Sequence, residues 1–268
     1  MNAFANSLFH VLLSWMRALF GDLLSIFQSG DGGVISWVSR HWLFLAALLL
    51  CTALGAAIVF PLLRRRRGLS KKLLLSALLG LALAAIGGGA FLRVYYHAAP
   101  EASAALVSDD AVTVESIGKG YFFDGPGTDA ALVFYPGAKV ESEAYAPLLR
   151  RLSEGGLDCF LVRMPLHMAV LDMDAAGELQ QQYAYETWLL AGHSMGGAVA
   201  ANYVGEQPAA FDALVLLAAY PTHPLPDGLH LLSVYGSEDG CLDRENYEAG
   251  RAFWTGSAEE LGMDGGNH

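Results

Sequence analysis

Residues 187–204 read TWLLAGHSMGGAVAANYV. An apolar run ends at Ala191. The pattern G-x-S-x-G follows at Gly192, His193, Ser194, Met195 and Gly196, and a stretch of small apolar residues begins at once. Strand, sharp turn and helix in that order present a serine hydroxyl at the end of a central strand. Glycines at 192 and 196 suit a turn so tight that a side chain there would strike neighbouring backbone. Gly197 and Ala198 let the helix start close to the sheet, and its first N–H groups point toward whatever the serine attacks. The bland alternative is a tight strand–helix turn that happens to carry serine, but the flanking context favours a nucleophile.

Outward from that turn, short β-rich runs alternate with helical ones. Strands are expected at 111–117, 120–124, 131–135, 158–163, 187–191, 213–218 and 231–235. Helices are expected at 142–154, 195–206 and 243–254, with a weaker one near 174–184. Such alternation predicts right-handed βαβ units and a mostly parallel sheet, an α/β fold.

Four stretches resemble the α/β-hydrolase family, in that family's order: 134–138 (FYPGA), 191–197 (AGHSMGG), 234–240 (VYGSEDG) and 265–268 (GGNH). The resemblance covers 110–268 and is nearest to the small, lidless, dienelactone-hydrolase-like branch. It implies an α/β-hydrolase domain over 105–268 and a triad in the order Ser, acid, His. Ser194 is then the nucleophile. The acid follows the 231–235 strand, where Asp239 fits the Y-G-x-x-D-G pattern and Glu238 and Asp243 are its neighbours. The base is His268, the one histidine after the acid. The resemblance also implies a supporting helix after that histidine, so a natural chain continuing past 268 is expected. The oxyanion is expected to meet the N–H of Met195 and one from the loop after the 131–135 strand: Ala138, with Gly137 and Lys139 as alternates, since Pro136 has no N–H. His193 is expected to point away from the chemistry, as in relatives. His167 and His223 fall in loops after strands, on the side where substrates bind, and His230 precedes its strand.

The implied activity is cleavage of a carboxylic ester or thioester through an acyl-enzyme, with a small-molecule or lipid-like acyl ester as substrate. Two alternatives stand beside it: acyl transfer to an acceptor other than water, and a hydrolase-like binding module without catalysis. No cofactor is expected and no metal site is read, since H-E-x-x-H and P-loop patterns are absent and Cys51, Cys159 and Cys241 have no metal or disulfide spacing. Glu141 and Glu143 lie at a helix start, where the dipole favours them.

The rest of the chain belongs to another environment. Of 268 residues, 54% are apolar and only 16% charged, against about 25% charged in ordinary soluble domains. Residues 1–97 hold nine Lys/Arg and two Asp/Glu, whereas 98–268 hold seven and 25, so a half of about +7 precedes one of about −18. The acidic half argues against nucleic acid as a partner. Residues 42–63 and 73–92 carry no charge, and about 20 apolar residues in a helix cross a ~30 Å hydrocarbon core. Arg64, Arg65, Arg66, Arg67, Lys71 and Lys72 lie between them. A basic loop (64–72) stays cytoplasmic. The reading is a transmembrane hairpin over 42–94 in the cell-membrane bilayer, with the catalytic domain extracytoplasmic and the junction near 95–110. Ser76, Gly80, Ala84 and Gly88 recur every four residues, as close helix packing in lipid requires. His41 and His97 flank the spans. Residues 1–41 form a separate segment, in which Ser7, His10, Ser14, Arg17, Gly21, Ser25 and Gln28 make a narrow polar stripe on an otherwise apolar helix.

Overall fold

The computed structural model describes residues 50–51, 53–55, 57–59, 68–127, 129–254 and 257–268. The segment 1–41, the basic residues 64–67 and most of the expected 42–63 span lie outside them. Two compact units divide the chain, 1–94 and 95–268.

In the first unit the described residues between 50 and 59 are helical, and helix α1 spans Leu69–Arg93. Within α1, residues 71–90 are long and apolar enough to cross a membrane, and little of that stretch is buried. Leu73, Leu74, Leu78, Leu81 and Ile86 are exposed. A Cβ on Gly55 would lie 2.5 Å from the Ser76 carbonyl oxygen and 3.0 Å from the Gly80 amide nitrogen. The first two members of the small-residue series therefore admit a backbone-to-backbone approach that a larger residue would block.

The second unit is built on one eight-stranded sheet. Its strands are β1 (Thr113–Ile117), β2 (Gly120–Asp124), β3 (Ala130–Tyr135), β4 (Asp158–Val162), β5 (Thr187–His193), β6 (Ala213–Leu217), β7 (His230–Gly236) and β8 (Ala258–Met263). The order across the sheet is β1-β2-β4-β3-β5-β6-β7-β8, with β1, β2 and β4 joined antiparallel and every other neighbour parallel. Helices α2 (Pro100–Ala104), α3 (Ala146–Glu154), α4 (Ala175–Gln180), α5 (Met195–Glu206) and α6 (Arg244–Gly250) complete it.

Because successive strand residues face opposite ways, a sheet covered on both sides needs apolar residues at every position of its central strands. β3 and β4 meet that demand. Ala131, Val133, Tyr135, Phe160 and Val162 face one core, shared with Val199, Ala200 and Val204 of α5. Leu132, Phe134, Cys159 and Leu161 face the other, shared with Ala146 and Leu149 of α3.

β8 was not expected. Its sequence, AEELGM, has no apolar alternation, and all but its first residue are exposed. The strand is held by its ladder to β7, from the pair Leu231 and Ala258 to the pair Gly236 and Met263. Glu260 adds a side-chain tie, accepting from the Tyr247 hydroxyl at 2.8 Å and Arg251 at 2.6 Å. The helix expected over 243–254 is α6 followed by a 3₁₀ turn at Arg251–Phe253, and that expected over 142–154 starts as a 3₁₀ turn, Ser142–Tyr145.

Candidate active site

Ser194 sits between β5 and α5 with φ 52° and ψ −123°. Such a backbone costs a non-glycine residue about 1–3 kcal/mol and persists only where its surroundings enforce it. Here the glycines allow that enforcement. A Cβ on Gly192 would lie 2.5 Å from the carbonyl carbon of Gly196, and one on Gly196 would lie 2.2 Å from the carbonyl oxygen of Tyr135. The Ser194 amide donates to the carbonyl of Leu217 at 2.8 Å, tying the turn to β6.

His268 reaches the same point from the end of the loop after β8. Its Nε2 is 3.0 Å from Ser194 Oγ, and its Nδ1 is 2.9 Å from Asp239 Oδ2 and 3.1 Å from Oδ1. The Asp239 side chain is fully buried, and its Oδ1 accepts the amides of Cys241 and Leu242, each at 2.8 Å. Burial by itself raises this carboxyl, but the Leu242 amide, the His268 ring and the Cys241 amide outweigh it and hold Asp239 below the usual carboxylate range. The two alternatives for the acid are placed elsewhere. Asp243 caps α6 by accepting from the Asn246 amide at 3.1 Å, and the Glu238 side chain is exposed.

The loops carrying Asp239 and His268 are fastened together. The Ser237 amide donates to the Met263 carbonyl (2.9 Å), the Glu238 amide to the Gly266 carbonyl (2.8 Å), and the Gly265 amide to Ser237 Oγ (2.8 Å). Residue 236 must be glycine for this contact, because a Cβ there would come within 2.2 Å of the Gly266 carbonyl oxygen.

Beside Ser194 opens a cleft of about 630 Å³, lined by Tyr96, Ala138, Val140, Tyr145, His193 and Cys241 among others. In the loop after β3, the Gly137 amide donates to the Tyr145 hydroxyl (3.1 Å) and the Lys139 amide to the His167 carbonyl (2.7 Å). Pro136 has none to offer. The Ala138 N–H is thus the donor of this loop with no protein partner among the described residues, and Ala138 lines the cleft. Met195 begins α5, where no intrahelical acceptor exists for its N–H.

His193 departs from expectation. Its ring does not turn away: it lines the cleft, with its centroid 4.7 Å from that of His268, and its Nδ1 is 2.8 Å from the Tyr145 hydroxyl. The same hydroxyl takes the Gly137 amide at 3.1 Å, so Tyr145 links His193 to the loop after β3. Burial, followed by the charge of neighbouring His268, lowers His193 from its ordinary value of 6.5 to about 4. As pH falls, the unfolded chain protonates this residue first, so stability declines from about pH 6.5 to about pH 4, by at most about 3 kcal/mol. Denaturant melts at pH 7 and pH 4.5 should show a larger acid loss for the wild type than for His193→Gln, and equal losses would refute the assignment. His167 and His223 do not line the cleft: His167 stacks on Tyr95 with centroids 4.0 Å apart, and His223 pairs with Thr222 at 3.0 Å beside a separate hollow. Tyr145, Tyr96 and Cys241 were not singled out from sequence, because nothing in their local setting marks them; they reach the cleft through contacts distant in sequence.

The sequence model of the Alpha/beta hydrolase family matches residues 131–268. The chain belongs to the α/β-hydrolase family. Solved structures similar to it include a protein of Thermus thermophilus (17% identity, TM-score 0.46, covering 59% of this chain and 90% of the other). Another is an esterase of the bacterial hormone-sensitive lipase family (15%, 0.48, 62% and 78%). A third is the carboxylesterase CesB of Bacillus subtilis (11%, 0.45, 63% and 88%). No curated protein matches the sequence. The α/β-hydrolase sheet positions the candidate residues directly: the serine follows the central strand β5, and the carboxylate and imidazole follow β7 and β8 at one side.

Proposed function

We propose that this α/β-hydrolase is a membrane-anchored serine hydrolase that cleaves a carboxylic ester or thioester. The observation that carries the reading is the unbroken chain of contacts from Ser194 Oγ through both nitrogens of His268 to a buried Asp239 carboxylate. In the first step His268 Nε2 takes the hydroxyl proton as Ser194 Oγ bonds to the acyl carbon. The ring returns that proton to the leaving alcohol or thiol as the tetrahedral intermediate collapses to an acyl-enzyme. Water, activated by the same nitrogen, then releases the acid. Asp239 stays ionised throughout, fixes Nδ1 as the protonated nitrogen and stabilises the imidazolium. The negative oxygen is received by the amides of Met195 and Ala138, two dipoles already oriented before reaction.

Anchoring rests on the charge-free runs 42–63 and 73–92, the basic residues between them, and the exposed apolar surface of α1. With the basic loop cytoplasmic, the hydrolase domain lies on the outer side, where lipid-like acyl esters are accessible to it. Full-length protein expressed in membranes should resist carbonate extraction and take up a fluorophosphonate probe at Ser194. Its release into the soluble fraction would refute anchoring, and a probe found on another residue would refute the nucleophile.

A further inference from the structure

Residues 95–98 follow α1 after the single residue Val94, and in the structure they do more than connect. Tyr96 pairs with Val140 as an isolated parallel bridge. The Tyr96 amide donates to the Lys139 carbonyl at 2.7 Å, and the Glu141 amide donates back to the Tyr96 carbonyl at 2.9 Å. The Ala98 amide donates to Glu141 Oε2 at 2.7 Å, and the Tyr95 ring stacks on His167, whose carbonyl accepts the Lys139 amide. The hydrogen bonds fall on the segment 139–141 that follows Ala138, and the Tyr95 stack bears on His167, which holds the same segment from the other side. Lys139 is held at φ 59°, a left-handed conformation that a non-glycine residue adopts only under constraint. The strap at 95–98 grips the Lys139 carbonyl while His167 takes the Lys139 amide, so Lys139 is held through the peptides before and after it; the Lys139–Val140 peptide in turn donates its Val140 amide to the Gly137 carbonyl at 3.3 Å, and that carbonyl shares its peptide with the Ala138 N–H.

We propose that residues 95–98 are positioning residues for the oxyanion hole: the segment leading from the apolar helix sets the orientation of the Ala138 N–H, so that catalysis depends on the strap's backbone as well as on the triad. The proposal rests on the reading of Ser194 as nucleophile and Ala138 as donor. Its physical basis is that an oxyanion donor works only when held in place before charge develops. Losing the clamp therefore lowers the rate of the chemical step more than the binding of substrate.

The test uses full-length protein in detergent with p-nitrophenyl butyrate. Tyr96→Pro deletes the N–H given to Lys139 along with the ring, whereas Tyr96→Ala deletes the ring alone and supplies the reference. Relative to Tyr96→Ala, Tyr96→Pro should lower kcat by about 10- to 100-fold with KM within about threefold. The inhibition constant of a trifluoromethyl ketone, whose adduct with the serine carries an oxyanion, should rise by the same factor as kcat/KM falls. Equal kcat in the two variants overturns the proposal. If Tyr96→Pro does not fold, as its melting curve will show, Glu141→Ala decides instead. That variant removes the acceptor of the Ala98 amide; a reduced kcat with native melting supports the strap, and an unchanged kcat refutes it. Turnover that persists in Ser194→Ala would instead defeat the underlying reading, so the two failures are separable.

Discussion

Ser194→Ala should lower kcat for p-nitrophenyl butyrate by at least about four orders of magnitude, while the far-UV spectrum and melting temperature stay near those of the wild type. The size follows from the chemistry. Without Oγ no acyl-enzyme forms, and what remains is the contribution of the oxyanion donors and substrate binding to direct attack by water. The fold should survive because the hydroxyl's contact is with His268 and the cleft, and the turn is held by the Ser194 amide and the surrounding glycines. Alanine tolerates φ near 50° about as poorly as serine, so relief of strain does not cloud the comparison. Turnover within tenfold of the wild type would remove this residue as the nucleophile.

The second large effect belongs to Asp239→Asn. One carboxylate oxygen already takes two amides, from Cys241 and Leu242. In the asparagine variant those amides demand the carbonyl oxygen at that position, which turns the NH₂ toward His268. An NH₂ cannot accept from Nδ1–H, so Nδ1 becomes the acceptor and Nε2 carries the proton. The nitrogen facing Ser194 Oγ is then unable to act as base, and kcat should fall by about 10³- to 10⁴-fold with little change in KM. Fluorophosphonate labelling of Ser194 should slow in parallel. Labelling at the wild-type rate would mean that Asp239 does not set the tautomer. Asp239→Ala serves as contrast, since it leaves a buried gap and orphans both amides, and its loss of stability should exceed that of the isosteric change.

What could be read from the chain depended on whether the constraint was local. The turn around Ser194 was legible because its glycines answer to backbone atoms a few residues away or one strand over, and nothing larger fits. The central strands were legible because burial on both faces forces unbroken apolar runs. Asp239 and His268 were readable only through the order of stretches shared with a family; their contact spans 29 residues and depends on β8. That strand left no trace, because an exposed edge held by its ladder and one glutamate has no apolar period to detect. Tyr145 and Tyr96 stayed silent for a related reason: each acts through a backbone or ring contact made across the fold. His193 was misread because a residue flanking the serine can face the cleft once a tyrosine offers it a partner. The expectations for 1–41 and for most of 42–63 fall on residues the structure does not describe.

The placement of β8 also bears on when the chemistry becomes possible during synthesis. The serine turn lies between β5 and α5 and is tied to β6, whereas in the proposed mechanism the proton acceptor follows β8, at the edge of the sheet. A nascent chain emerging to residue 250 holds Ser194 but not His268. By the proposed mechanism such a species would be disarmed, as would a folded copy whose edge strand had frayed from β7. Under that mechanism arming would coincide with docking of this edge strand, and acyl-enzyme formation would report on the integrity of that margin.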